Sequence, residues 1–275
     1  MLPEKLAEQR VTSLAAGGRH TLLCTHEGQV WAWGRGVSGC LGAGPSGCTA
    51  QPIQLRSLEL GGLRVATLAC GGEHSAILTE PGALYTFGLG KRGQLGTGST
   101  DSCQLPVKVS WSQRLPNRAV QVSCGASHTG LVLVDGSLLT CGSSEQGVLG
   151  HGAGGENMPD CLELRQVAGL SATKTPVASV SCGGVHTLVL TRASAVYGCG
   201  AGSWGRLGLG GDNKDKPVPT LLKAAAHLGG IKQVVAGHEH SLLLTQDGSV
   251  FQFGRVGSSY AARSRLTYDL GAIYL

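Results

Sequence analysis

A chain of 275 residues with a formal net charge of +5 and 14% charged residues lacks the basic character of a dedicated nucleic-acid-binding protein. Hydrophobic residues make up 41% of it, enough for a sizeable core, yet no apolar run approaches the roughly 18 residues that span a membrane. The first ten residues contain no signal-like apolar run, so we expect an intracellular protein, cytoplasmic or nuclear, that is not secreted.

After this N-terminal extension, residues 1–10, one motif recurs five times. Each copy contains Gly-x-x-His followed by Ser or Thr, and the histidines are separated by 54, 54, 58 and 54 residues. They are His20, His74, His128, His186 and His240. A fixed period of this size indicates one repeated supersecondary unit, so residues that return in the same slot are interpreted first as scaffold.

The second copy shows the predicted elements in chain order. Residues 65–71 alternate apolar and small side chains, residues 74–80 and the aromatic-rich residues 83–88 follow as second and third strands, and residues 105–109 are a short fourth strand. Pro106 predicts that the fourth strand lies at the outer edge of its sheet, where a missing N–H breaks no ladder.

Four short antiparallel strands per copy predict an all-β fold, a β-propeller whose blades cover each other's apolar faces. A solenoid is the competing architecture. The repeats fall near residues 11–64, 65–118, 119–176, 177–230 and 231–255. The last is incomplete, since the Gly-x-Leu-Gly of the other copies is absent, and residues 256–275 form a divergent C-terminal tail.

The recurring pattern V-x-x-V-x-C-G-x-x-H-[ST], then D/E-G-x-V/L-[YWF]-x-[FWC]-G, then G-x-L-G-x-G resembles the repeat of the regulator of chromosome condensation family over roughly residues 11–255. The resemblance implies a seven-bladed propeller. Seven copies of about 54 residues need more chain than is present. The alternatives are a piece or variant of a longer propeller, an incomplete ring open at two blade faces, and a closed five-bladed ring.

Three segments, residues 34–39, 88–93 and 200–205, match the dinucleotide fingerprint Gly-x-Gly-x-x-Gly. Phosphate binding requires a helix to begin there, and the glycine-dense residues that follow cannot propagate one. We therefore predict turns between strands and no cofactor.

The cysteines do not form a disulfide pattern. Cys70, Cys124 and Cys182 occupy one repeat slot, where two other copies have Ala16 and Ala236. Ala in place of Cys is what a small buried hydrophobic residue tolerates, so a reducing compartment is expected.

The five repeat histidines invite a metal or acid–base interpretation. One histidine per blade at the same depth places them too far apart to share an ion, so we expect no metal site and instead a hydrogen bond to backbone of the same or the next blade. No catalytic motif accompanies them, and we expect no catalytic residue.

The residue before each repeat histidine differs between copies, which makes these loops candidates for binding a partner. They are Arg19, Glu73, Ser127, Val185 and Glu239. The family resemblance implies that acidic loop residues and a wedge loop engage the small GTPase Ran in the exchange factor of the family. The third copy here has Ala126 where an acidic residue is expected, and its Gly-rich turn is too short for a wedge.

The turn after the third strand is basic in several copies, with a tryptophan nearby. These candidate partner-binding residues are Arg35, Lys91, Arg92, Trp204 and Arg206, and Arg255 belongs to the same group. On one rim they would attract an acidic protein surface, chromatin or an anionic headgroup, although the overall charge does not indicate nucleic acid.

We therefore predict a non-enzymatic protein–protein interaction platform that presents variable loops to a partner. The alternatives are a guanine-nucleotide exchange factor for a small GTPase and a recognition domain of a larger protein such as a ubiquitin ligase.

Overall fold

A computed structural model of the chain describes Pro3, Leu6 and residues 8–45, 47–55, 64–111, 118–152, 158–171, 176–256 and 259–266. Five separate four-stranded sheets contain all the named strands, and every strand pairing is antiparallel. The chain is an all-β propeller with five blades, as the repeat predicted. Most of the N-terminal extension and residues 267–275 of the predicted tail lie outside the described residues.

Each blade takes four consecutive strands. The first has β1 (Val11–Ala16), β2 (His20–Thr25), β3 (Val30–Arg35) and β4 (Cys48–Gln54); the second β5 (Val65–Cys70), β6 (His74–Thr79), β7 (Leu84–Gly88) and β8 (Cys103–Val109); the third β9 (Ala119–Cys124), β10 (His128–Leu133), β11 (Leu138–Gly142) and β12 (Cys161–Gln166); the fourth β13 (Val177–Cys182), β14 (His186–Thr191), β15 (Val196–Gly200) and β16 (Lys216–Leu221); the fifth β17 (Ile231–Ala236), β18 (His240–Thr245), β19 (Val250–Val256) and β20 (Ser259–Leu266).

The strands predicted for the second copy are confirmed within a residue or two. The fourth strand begins at Cys103, two residues before the predicted start. Its pairing with β7 shifts register between Gly88 and Thr86, opposite the segment that contains Pro106. β8 pairs only with β7, so the proline lies on an outer strand, as expected.

The dinucleotide-like segments are turns. Only residues 203–205 contain helical backbone, a single 3-10 turn, and the last glycine of each segment has positive φ, +84° at Gly39, +75° at Gly93 and +69° at Gly205. A left-handed residue at this point ends any helix before it presents a row of free N–H groups.

Apolar cores form between blades rather than within them. Between the second and third blades, Ala76 and Leu78 of β6 pack against Val122 of β9 and Leu131 of β10. Equivalent slots form the cores of the other three interfaces. Alternation of side chains along each strand supplies both faces, so an inner blade is covered on both sides.

The blades are arranged as an arc rather than a closed ring. The innermost strands contact each other in series, β1 with β5, β5 with β9, β9 with β13 and β13 with β17. The described strands of the first and fifth blades make no comparable contact. Residues 259–266, assigned from the sequence to the divergent tail, provide the fourth strand of the fifth blade.

The few helical segments are short: α1 (Ala168–Ser171) and the 3-10 segments Glu145–Gly147, Ser203–Gly205 and Lys223–His227. Within the described part of the chain, no helix is long and apolar enough to cross a membrane.

Inter-blade clasps and a candidate binding face

The first repeat histidine joins two neighbouring blades through a hydroxyl group. His20 begins β2, and its Nε2 lies 2.8 Å from Oγ of Ser75, the second residue of β6 in the next blade. The Ser75 hydroxyl donates in turn to the carbonyl of Cys40, at 2.8 Å, in the turn after β3 of the first blade. A histidine, a hydroxyl and a carbonyl thus connect one blade to the next and back again.

The same three-group arrangement, which we call a clasp, recurs at the other three interfaces. His74 lies 2.9 Å from the Thr129 hydroxyl, which donates to the Gln94 carbonyl at 2.7 Å. His128 lies 3.0 Å from the Thr187 hydroxyl, which donates to the Val148 carbonyl at 2.9 Å. His186 lies 2.8 Å from the Ser241 hydroxyl, which donates to the Arg206 carbonyl at 2.8 Å.

The clasp fixes the protonation of its histidine. A hydroxyl has one hydrogen, and because that hydrogen goes to the carbonyl, the hydroxyl must accept from Nε2–H of the imidazole. Burial lowers the pKa of His20 and His128 to about 4 and that of His74 and His186 to about 3. At neutral pH all four rings are therefore neutral donors, which suits a structural role and not proton transfer.

Backbone groups beside the clasp bring the blades into close contact. The N–H of Gly18 donates to the carbonyl of Gly71 at 2.9 Å, and the bond recurs at the next three interfaces. A Cβ atom on Gly71 would overlap the carbonyl oxygen of Gly125 and the ring of His74. The glycine three residues before each clasp histidine is thus required for close approach, although its φ is not positive.

The sequence predicted the role of the histidines but not their partner. We expected a bond to backbone, and the structure shows a hydroxyl of the next blade that relays to backbone. The signal was present in the sequence, since every repeat histidine is followed by Ser or Thr. The sequence does not show that this hydroxyl bonds the histidine of the preceding blade, because that contact depends on the order of the blades in the fold.

The buried cysteines behave as small apolar side chains. All ten cysteines are free. Burial raises the pKa of the Cys70 and Cys182 thiols to about 12, so neither forms a reactive thiolate at neutral pH.

The two predicted groups of partner-binding residues meet at one end of the blades. The carbonyl of each residue before a repeat histidine accepts a hydrogen bond from the N–H that follows the last glycine of the third strand. The five bonds are Arg35 to Arg19 (2.8 Å), Leu89 to Glu73 (2.9 Å), Ser143 to Ser127 (2.8 Å), Ala201 to Val185 (2.8 Å) and Arg255 to Glu239 (2.9 Å). We call the end of the arc with these residues the candidate face.

The first blade carries unneutralised positive charge on this face. Arg19 and Arg35 are exposed and joined through their backbones. Among the residues that the structure describes, neither makes an ion pair. On the second blade Lys91 is exposed, whereas the half-buried Glu73 accepts a 2.6 Å hydrogen bond from Ser38.

Arg92 serves to join the second and third blades. Its guanidinium lies 2.8 Å from Glu145, 2.7 Å from Asp160 and 2.8 Å from the hydroxyl of Ser143. Its charge is neutralised locally. The half-buried Ser127 and Val185 give the centre of the candidate face little charge of their own.

A tryptophan and an arginine define the far end of the face. Trp204 is 41% exposed and has left-handed backbone, φ +64°, which is strained for a bulky side chain. Arg255 lies over its ring, 5.1 Å from the centroid, and forms an ion pair with Glu239 at 3.5 Å. Arg206 is only 3% exposed, and its guanidinium donates to the carbonyl and hydroxyl of Ser203.

Within the described ranges, no group of three or more His, Cys, Asp or Glu side chains is arranged to hold a metal ion.

Comparison with known proteins agrees with the repeat and the propeller fold. The family model described as RCC1-like domain matches residues 1–263. The chain belongs to the RCC1-like domain family.

Two curated relatives of this RCC1-like chain are the ultraviolet-B receptor UVR8 of Arabidopsis thaliana and protein RCC2 of Homo sapiens. The first is 34% identical over 246 residues, which cover 90% of this chain and 53% of the receptor. The second is 32% identical over 278 residues, which cover 92% of this chain and 52% of RCC2. The chain thus spans about half the length of the curated relatives it matches.

The solved structure of human WBSCR16 has the same fold, with a TM-score of 0.78. Its sequence is 24% identical, and the match covers 90% of this chain and 63% of that one. An identity this low is evidence for the fold alone.

Proposed function

We propose that this RCC1-like chain is a non-enzymatic interaction platform that binds an acidic protein surface through the candidate face. One observation carries the proposal: at the four interfaces between blades the repeat histidines are buried in clasps, while the residues that differ between copies gather at one end of the blades. Loops held on a rigid frame are where proteins place recognition residues.

The chemistry of the face favours an acidic partner. Exposed Arg19, Arg35 and Lys91 provide positive charge on the first two blades, while Trp204 and Arg255 provide an amphipathic anchor on the last two. Tryptophan and arginine are over-represented among the residues that dominate binding energies. The strained backbone of Trp204 is consistent with a functional position, because strain persists where the surroundings impose it.

The proposal places the protein inside the cell. Ten free cysteines, most of them buried thiols, are compatible with a reducing compartment.

An exchange activity on a small GTPase has less support. Ala126 stands where the family resemblance led us to expect an acidic side chain, and the Gly-rich turn of the same repeat is too short for a wedge loop. We expect nucleotide release from a panel of small GTPases to be no faster with the chain than without it.

The test is capture of partners by the wild-type chain and by two charge-reversal variants. Arg19→Glu combined with Arg35→Glu should lose an acidic partner, and binding by the wild type should weaken steeply with salt. Arg64→Glu combined with Arg118→Glu is the matched control, since both arginines are exposed near the opposite end, where their carbonyls accept from the N–H groups of Glu80 and Val134. Equal capture by all three chains would refute the acidic-partner proposal.

A further inference from the structure

A cavity of about 800 Å³ lies between the fourth and fifth blades. Its walls come from the turn after β15, the segment after β16 and the strands β18 and β19. The cavity therefore belongs to an interface between two blades and not to an outer blade face. Its volume is within the range of roughly 300–1,000 Å³ that is typical of small-molecule sites.

One wall of the cavity is open because alanine replaces leucine. In the third blade Val167 follows the fourth strand, and Leu170, three residues later, is 3% exposed in the core between the third and fourth blades. In the fourth blade Leu222 follows the fourth strand in the same way, and Ala225 occupies the slot of Leu170. The shorter side chain leaves space beside the 3-10 segment Lys223–His227 that leucine fills in the neighbouring blade.

A glycine leaves a second wall open. Among the described residues, nothing lies within 4 Å of the position that a Cβ atom would take at Gly210, in the turn after β15. At the preceding interface Val218 of the next blade's outer strand lies 3.5 Å from that position at the equivalent Gly152. The cavity is thus a property of these two blades and not of the repeat in general.

The lining of the cavity favours an uncharged ligand. Among the lining residues that the structure describes there is no Asp, Glu, Lys or Arg, and most are Gly, Ala, Leu or Phe. A charged group that entered would lose hydration without gaining an ion pair. Phe251 and Phe253 of β19 provide aromatic rings for stacking, while Gln252 and the exposed Asn213 provide amide groups for a polar substituent.

We propose that this cavity binds an uncharged, largely apolar small molecule that contains an aromatic ring. Apolar cavities in proteins take up apolar molecules more readily than water, because water finds too few hydrogen-bond partners there. Binding at this site needs no acidic partner, so the proposal is independent of the candidate face.

The experiment is a fluorescence titration of the chain with the uncharged probe phenylnaphthylamine. Ala224→Trp places an indole ring in the cavity, since Ala224 is half-buried in its lining. Ala226→Trp is the matched control, because Ala226 is exposed on the same 3-10 segment and is not part of the lining. We expect saturable binding by the wild type and the control, and binding about tenfold weaker by Ala224→Trp. Circular dichroism checks that all three chains are folded.

A second variant tests the cavity without relying on the tryptophan. Ala225→Leu gives the fourth blade the leucine of the third, and we expect weaker probe binding together with a higher melting temperature, because new apolar contacts fill the space. A lower melting temperature would mean that the slot is already filled, and it would overturn the proposal.

A charged probe with the same rings tests the class of ligand. Anilinonaphthalene sulfonate differs from phenylnaphthylamine by one sulfonate group, and we expect it to bind the wild type about tenfold more weakly. Equal binding of the two probes would overturn the preference for an uncharged molecule. Equal binding by Ala224→Trp and Ala226→Trp, or no saturable binding by the wild type, would overturn the site itself.

Discussion

The interface between the second and third blades and the two ends of the arc are built from the same repeat slots, yet they differ in burial. At the inner interface His74 and Thr129 are fully buried and bonded to each other. At the ends, the equivalent Thr21 and His240 are only partly buried and do not form a clasp with a neighbouring blade. The comparison teaches that the clasp residues stabilise the fold only where two blades meet. The same residue type therefore contributes differently to the free energy of unfolding at different positions along the chain.

We expect the largest loss of folding stability to come from lowering the pH, because the clasp histidines are buried and the end histidine is not. The four clasp histidines have folded-state pKa values of about 3 to 4, below the unfolded value of 6.5. Below pH 6.5 the unfolded chain takes up protons that the folded chain refuses, so stability falls as the pH falls toward 4. Each histidine contributes a loss of about 1.4 kcal/mol per pH unit in this window.

Urea unfolding at pH 7, 6 and 5 measures this slope. A free energy of unfolding that stays constant between pH 7 and 5 contradicts the assignment of four neutral buried rings.

A glycine substitution should produce the next largest effect. Gly71→Ala places a methyl group against the Gly125 carbonyl and the His74 ring, and backbone cannot move aside as a flexible side chain does. We expect a loss of about 3 kcal/mol, the upper range for overpacking. Gly47→Ala is the control, because nothing lies near its Cβ position, and it should change stability by less than about 0.5 kcal/mol. Similar melting temperatures for the two variants would refute the close-approach argument.

Removal of a clasp histidine should cost more inside the arc than at its end. His74→Ala leaves a cavity and removes the N–H that donates to the Thr129 hydroxyl, so we expect a loss of about 2–3 kcal/mol. His240→Ala removes a half-buried ring without a hydroxyl partner and should cost less than about 1 kcal/mol. Chemical denaturation of monomeric protein gives both values, and equal losses would show that the clasp adds nothing to the packing of the ring.

The hydroxyl gives the smallest and most specific test. Thr129→Val removes the relay between His74 and the Gln94 carbonyl, and we expect a loss of about 1–2 kcal/mol. Thr21→Val has no clasp to break and should be nearly neutral. A double-mutant cycle of His74 and Thr129 should return a coupling energy near 1 kcal/mol, whereas additive losses would mean that the two groups act independently.

Much of the fold could be predicted from the sequence, since a motif that recurs at steps of 54 or 58 residues specifies both the blades and their order. The turn chemistry of residues 88–93 was also predictable, because glycine density excludes a helix. The fourth strand of the fifth blade was not, since residues 259–266 share no motif with β4, β8, β12 or β16 and pair through backbone groups that any sequence supplies.

The candidate face was harder to predict. The sequence places Arg206 in a basic turn, but its guanidinium folds back on Ser203 and is buried. Arg92 meets Asp160, 68 positions along the chain in the next blade. Which charges stay accessible depends on contacts across blades, and periodicity in a sequence does not report them.

The nitrogen chemical shifts of the imidazole rings test the central claim most directly, because they report both tautomer and charge. For His20, His74, His128 and His186 we predict neutral rings protonated on Nε2 at pH 7, with shifts unchanged at pH 5.5 while the chain remains folded. Rings protonated on Nδ1, or shifts that titrate near pH 6.5, would contradict the claim that these histidines donate across the blades.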